Sequence, residues 1–365
     1  MSALWVLLAV LSAYVWVALL LRRRFAVTAD SKTILVELPT AGHHLALHHV
    51  VSPALRFREP VLLCHGLGAN RFNLDFVDDG DGSDRLSLAR TLARQGFDVW
   101  VVELRGRGQA KIPPRTSWCA DDEVAEEVPT AIETVLELTG APKVFWLGHS
   151  WGGLVQYLFH SRGHPLTEKM AGLITVGSPG HPRAQRGVST MSALGRVLIG
   201  LLGFRLPFKL LAWLVLPVVD PLVWMGRWPF GNLASMPAPM LRRLLASLPE
   251  DIGSGVGRQL LAWAQARRFC SRSGWIDEDH YDRLKLPLLL LAGSHDFYLA
   301  PPESVAFVAE RASSTDKTFR VFGRAHGETV DYGHGGLLVG KQAPDEVFPV
   351  IGAWLEQRAT KIEAS

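Results

Sequence analysis

Apolar and polar positions divide the chain into three regimes. Residues 2–21 contain no charged residue, and the run ALWVLLAVLSAYVWVALLL would rise about 28 Å as a helix, enough to cross a bilayer. After it, short apolar, β-branched runs alternate with stretches of helical period, the pattern of an α/β layer structure built on a mostly parallel sheet. Residues 60–65 (PVLLCH), 97–103 (FDVWVVE), 143–148 (KVFWLG) and 170–177 (MAGLITVG) have the form of buried strands. Between them, 84–95, 123–138 and 151–160 have helical spacing; Asp84 is the expected cap of the first helix and Gly96 its stop.

The rhythm breaks at Ser178-Pro179-Gly180. For about a hundred residues no convincing strand follows, and residues 194–225 are unusually apolar. A second membrane span fails on length there, because only residues 210–219 lie free of charge between Lys209 and Asp220, and Pro217 interrupts them. Strands resume at 287–292 and 317–322, and a last helix is expected over 344–357. The organisation predicted is an anchor over residues 1–24 and one α/β domain over 25–365, with a helical cap inserted at about 181–280.

Composition sharpens this picture. A hydrophobic fraction of 48% is too high for a disordered chain, and 20% charged residues is too many for membrane helices throughout. The net charge of +3 equals the contribution of Arg22, Arg23 and Arg24, so the remaining chain is neutral and offers no basic field to nucleic acid. Those arginines follow the apolar run instead of preceding it, the wrong order for a cleaved signal peptide, although Val27-Thr28-Ala29 is cleavage-like. By the positive-inside rule they hold residues from about 25 onward in the cytosol, as a single-pass membrane protein. Cys64, Cys119 and Cys270 are odd in number and lack CxxC spacing, so neither a disulfide framework nor a zinc ribbon is expected.

The chemistry concentrates in Gly148-His149-Ser150-Trp151-Gly152-Gly153, which follows a strand and opens a helix. This is the setting of a nucleophile elbow, where glycines permit a strained turn that lifts a serine hydroxyl above the sheet. Serine needs a base, and the base an orienting acid, from the ends of later strands. Asp296, in Gly293-Ser294-His295-Asp296, is the expected acid; Asp277, Asp279 and Asp282 precede its strand and are expected to cap or solvate a loop. Spacing alone leaves His326 and His334 both open as the base. The main-chain N–H groups of Leu67 and Trp151 are the expected oxyanion donors.

Together CHGLGANRFNLD, SLARTLARQGFDVWVVELRGRGQA, GHSWGG, GSHDFYLAP and DYGHGGLLVGKQAPDEVF resemble an α/β-hydrolase-fold serine hydrolase, over roughly residues 34–357 without much of the insertion. Within that fold the chain is most similar to the acid (gastric-type) lipase branch. Its D-Y-x-H motif and following A-P-x-E-V segment fall on Asp331 to His334 and on Ala343 to Val347, and this resemblance selects His334. Gly335 and Gly336 stand where those lipases carry larger residues. The resemblance implies a Ser150, His334, Asp296 triad acting through an acyl-enzyme, without metal or organic cofactor. An apolar acyl pocket and ester substrates, including lipids, follow from the greasy cap. An acyltransferase using the same triad and a non-catalytic scaffold are the competing readings.

Other conspicuous residues have plainer explanations. His43, His44, His48 and His49 sit in a segment patterned as two strands joined at Thr40-Ala41-Gly42, with no metal-ligand spacing. Arg105-Gly106-Arg107-Gly108 is expected to be a structural corner after a strand. Trp213, Trp224 and Trp228 fit equally a membrane surface or the interior of the cap.

Overall fold

The computed structural model describes residues 3–29, 31–77, 83–182, 205–224 and 236–362. Ten strands occur among them: β1 (Lys32–Glu37), β2 (His44–Val50), β3 (Val61–Cys64), β4 (Val99–Glu103), β5 (Val144–His149), β6 (Met170–Val176), β7 (Arg205–Leu206), β8 (Ile252–Gly253), β9 (Leu288–Gly293) and β10 (Lys317–Phe322). Eight form one sheet in the order β1-β2-β4-β3-β5-β6-β9-β10. β1, β2 and β4 pair antiparallel; every pairing from β4 to β10 is parallel.

The central strands are apolar at almost every position because both faces of the sheet are covered. Alternation survives inside them as a choice of layer. Leu62, Cys64, Val144, Trp146, Leu288 and Leu290 pack into one core. Val61, Leu63, Phe145, Leu147, Leu289 and Leu291 pack into the other, on the opposite side. Helices Val128–Thr139, Trp151–Ser161 and Pro302–Arg311 supply residues to the first core, and Leu88–Arg94 and Phe348–Glu356 to the second.

Two local expectations are corrected. The helix expected to start at Asp84 starts at Leu88, because Ser87 is the better cap: its hydroxyl accepts from Arg90 N–H and donates to buried Asp75. Asp84 instead pairs with Arg94. The segment between β6 and β9, where no strand was expected, also contains two short strands, β7 and β8, which pair antiparallel. The histidine-rich segment forms the expected hairpin, and His48 and His49 are bonded to Glu103 and Asp98 of β4 and its approach. Among the described residues no group of His, Cys, Asp and Glu could hold a metal.

Between β6 and β9 the described residues form helices Phe208–Val215, Val219–Trp224, Ala238–Ser247 and Ser254–Ala266. The N-terminal helix, Ala3–Phe25, leans on this region. Leu21 and Phe25 pack on a small cluster of Ala212, Leu216, Val219, Leu241, Leu245 and Ala246. Trp213 faces that helix, with the Arg22 guanidinium 4.8 Å from its ring centroid. Trp228 lies outside the described residues.

Candidate active site

β5 runs into helix Trp151–Ser161 through Ser150, whose backbone sits at φ 51°, ψ −110°. A non-glycine residue at positive φ is strained, and such strain gathers at functional sites. The close packing around it explains the glycines. A Cβ on Gly148 would lie 2.2 Å from the Gly152 carbonyl carbon, and one on Gly152 would lie 2.4 Å from the Cys64 carbonyl oxygen. Ser150 N–H donates to Val176 O (2.9 Å), and Ser150 O accepts from Leu154 N (3.0 Å), which fixes the turn from both sides.

Asp296 follows β9 and His334 lies in the loop after β10, yet they meet: His334 Nδ1 is 2.6 Å from Asp296 Oδ2. The two loops are tied to each other as well, with His295 N donating to Tyr332 O at 2.8 Å. Burial opposes charge on Asp296, but the His334 charge and hydrogen bond outweigh it and hold the carboxyl below the ordinary range. With Nδ1 engaged, Nε2 of His334 is the nitrogen left for exchanging a proton with a serine. His326 stands in an exposed turn after β10. The other acids are occupied or remote: Asp277 binds Ser161 and Arg162, Asp279 pairs with Arg268, and Asp282 is exposed.

The loop after β3 lies against the elbow, since a Cβ on Gly66 would come within 3.4 Å of Ser150 Cβ. Among the described residues neither the main-chain N–H of Leu67 nor that of Trp151 donates to a main-chain carbonyl, the state that an oxyanion donor needs. Two buried histidines set this loop. Leu104 N donates to His65 Nε2, so His65 Nδ1 carries the proton and donates to Gly66 O at 2.8 Å. Burial pushes the His65 pKa down to about 4, keeping it neutral.

Sequence reasoning missed three supporting residues. His149 Nδ1 donates to Asn73 Oδ1 (2.8 Å), and the same oxygen accepts from Gly66 N (2.9 Å), so Asn73 joins the turn at Ser150 to the loop after β3. Burial first, then the neighbouring His334, pushes His149 down to about 3. Its ring lies 4.8 Å from that of His334. Glu123 is the third. Its carboxylate accepts from Trp151 Nε1 (2.6 Å) and Trp118 Nε1 (3.0 Å) and pairs with Arg107 (2.7 Å), with both charged side chains fully buried. Arg105 is likewise bound to Glu127 (2.6 Å) and to Glu126, so the RGRG corner is structural. No sequence signal linked Glu123 to Trp151 across 28 positions; the wide turn at Glu123–Glu127 that aims these carboxylates inward is a π-helical irregularity. A fourth tie has a trace in the sequence: Glu346 of the A-P-D-E-V segment accepts from Tyr332 Oη at 2.6 Å and so braces the histidine loop.

With this geometry in view, comparison with known proteins is direct. Residues 59–196 match the family model described as alpha/beta hydrolase fold. The chain has the α/β-hydrolase fold. It is similar to gastric triacylglycerol lipase of Bos taurus, 30% identical over 152 residues, covering 40% of this chain and 36% of that protein. Lysosomal acid lipase/cholesteryl ester hydrolase of Homo sapiens is 31% identical over 147 residues, covering 38% of this chain and 35% of that one. Tear acid lipase-like protein of Mesocricetus auratus is 33% identical over 92 residues, 23% of each chain. The matches thus span about a quarter to a third of the length of these relatives. Among solved structures, a soluble variant of monoglyceride lipase from Saccharomyces cerevisiae superposes with TM-score 0.59 at 14% identity, over 91% of this chain and 97% of that one. A membrane phospholipase A described as a bacterial virulence factor gives TM-score 0.56 at 18% identity, over 97% and 96% of the two chains. At such identities the likeness shows the fold alone.

Proposed function

We propose that this protein is a membrane-anchored serine hydrolase that cleaves carboxylic esters of hydrophobic acyl groups. The observation that carries the proposal is the meeting of His334 and Asp296, at 2.6 Å, with the His334 ring against that of His149, the residue before a serine held at positive φ on a strand-to-helix turn. Ser150 Oγ attacks the ester carbonyl carbon while His334 Nε2 takes its proton, and Asp296 stabilises the imidazolium. The oxyanion rests on the N–H groups of Leu67 and Trp151. Collapse of the tetrahedral intermediate breaks the C–O bond, the alcohol leaves with the proton from His334, and an acyl-serine remains. Water, deprotonated by the same histidine, attacks that acyl carbon and releases the acid and the free serine.

The similarity to lipases and the apolar insertion between β6 and β9 support a hydrophobic acyl group. Anchoring is supported by the N-terminal helix, where Leu4, Trp5, Val10, Leu11 and Trp16 are more than half exposed or 53–65% exposed as apolar side chains. The apolar segment Leu4–Phe25 is the single helix of the described residues long and apolar enough to span. Arg22, Arg23 and Arg24 at its end support a cytosolic catalytic domain. A p-nitrophenyl ester series tests the acyl assignment: kcat/KM is expected to rise from acetate to medium-chain esters, and no gain beyond acetate contradicts it.

A further inference from the structure

A hydrolase with an apolar cap can draw its ester from solution or from a lipid phase, and the seating of the N-terminal helix separates the two. That helix does not stand clear of the body. Its contacts with the cap begin halfway along, where Tyr14 Oη donates to Leu214 O at 2.7 Å, and continue through Ala18, 1% exposed, to Leu21 and Phe25. Tyr14 precedes Arg22 by eight residues, or about 12 Å of helix rise. Whatever surrounds the outer half of the helix at Tyr14 therefore also surrounds the cap at Leu214.

The cap has the chemistry of a hydrocarbon neighbour at that level. Residues 210–219 carry no charge. Leu210 and Leu211 are 42% and 56% exposed, as apolar as the exposed side chains of the N-terminal helix. The carbonyl of Leu214 lies in the last turn of helix Phe208–Val215, where the ladder runs out before Pro217, and the Tyr14 hydroxyl satisfies it. Each of these polar groups would be costly unpaired in lipid. Charges lie at the margins: Lys209 pairs with Glu250 at 2.7 Å, and Asp220 pairs with Arg242, whose guanidinium lies 5.6 Å from the Phe25 ring, beside the arginine cluster.

The other end of the same cap helix touches the site. A Cβ on Gly68 would come within 3.0 Å of Phe208, and Glu250 N donates to Gly68 O at 2.8 Å, one residue from Leu67. From Phe208 to Leu214 is only about 9 Å of helix rise. We propose that cap residues 210–219 are immersed in the bilayer beside the N-terminal helix, and that the substrate is a bilayer-resident lipid ester reaching Ser150 along this helix without crossing water. The immersion rests on these helix contacts together with the anchoring of the N-terminal helix proposed above; the substrate route rests on the hydrolase reading.

Two measurements on the full-length protein in phosphatidylcholine vesicles test the two parts separately. For immersion, a nitroxide is placed at Leu211→Cys in a Cys270→Ser background, Cys64 and Cys119 being buried. Its relaxation is expected to respond to oxygen and to be shielded from a water-soluble nickel chelate; full access of the chelate overturns the immersion. For the route, Leu210→Glu/Leu211→Glu is expected to lower cleavage of dioleoylglycerol in the vesicles about tenfold or more, because two carboxylates resist entry into hydrocarbon. Cleavage of p-nitrophenyl acetate stays within about twofold of the parent protein. Unchanged dioleoylglycerol turnover, or equal loss on both esters, overturns the route. A parent protein that cleaves neither ester refutes the hydrolase reading, while the nitroxide still decides immersion.

Discussion

At the scale of single residues, the account turns on how buried groups hold their protons. Asp296 is kept charged by His334 in spite of its burial, so its removal leaves an imidazole without orientation or countercharge. Asp296→Asn is expected to keep the fold and to lower kcat by about three to four orders of magnitude with little change in KM, read by steady-state ester kinetics. His65, His149 and His160 are pushed from 6.5 to about 4, 3 and 4, chiefly by burial. A histidine whose folded pKa is depressed binds fewer protons folded than unfolded, so the stability it protects is whole above pH 6.5 and drains as pH falls toward 4. Denaturant midpoints are therefore expected to fall between pH 6.5 and 5, ahead of the carboxylate range, as the unfolding free energy drops by on the order of 1–2 kcal/mol for each buried histidine. A flat midpoint over that interval contradicts the assignment of these rings as buried and neutral.

At the scale of elements, the elbow is held by partners on other segments, and Glu123 is the one with most at stake. It joins the turn before helix Val128–Thr139 to the Trp151 indole at the start of helix Trp151–Ser161, and to Arg107 after β4. Glu123→Ala strands a buried guanidinium, and unfolding is expected to become easier by about 3–5 kcal/mol. Glu123→Gln keeps a hydrogen-bond acceptor for Trp151, so labelling of Ser150 by a serine probe is expected to survive better in Gln than in Ala. The elements themselves were largely legible in the sequence, because buried parallel strands and the glycines around Ser150 leave local signatures. Strand 317–322 was read to the residue, and the elbow to within one position. Helix Leu88–Arg94 was misread at its start because Asp84 and Ser87 both suit a cap, and only the contact of Ser87 with Asp75 separates them. His149, Asn73 and Glu123 were illegible for a different reason: the bonds that tie His149 to Asn73 and His334, and Glu123 to Trp151, span 28 to 185 positions of the chain.

At the scale of the molecule, the N-terminal helix packs on the helices between β6 and β9 through one apolar cluster. Removing residues 1–24 takes away Leu21, which packs on the cluster around Ala212, Leu216 and Val219, and Tyr14, which bonds Leu214 O. The truncated chain is expected to form large assemblies in size-exclusion chromatography without detergent and to disperse when detergent is added. A monodisperse truncated protein without detergent contradicts this packing. The central claim is that the fold carries a working serine nucleophile. Labelling with a fluorophosphonate, read by intact mass and peptide mapping, tests it most directly. The account predicts one adduct, on Ser150, absent from Ser150→Ala and much slower in His334→Ala; a parent protein that takes no label, or equal labelling of Ser150→Ala, contradicts it.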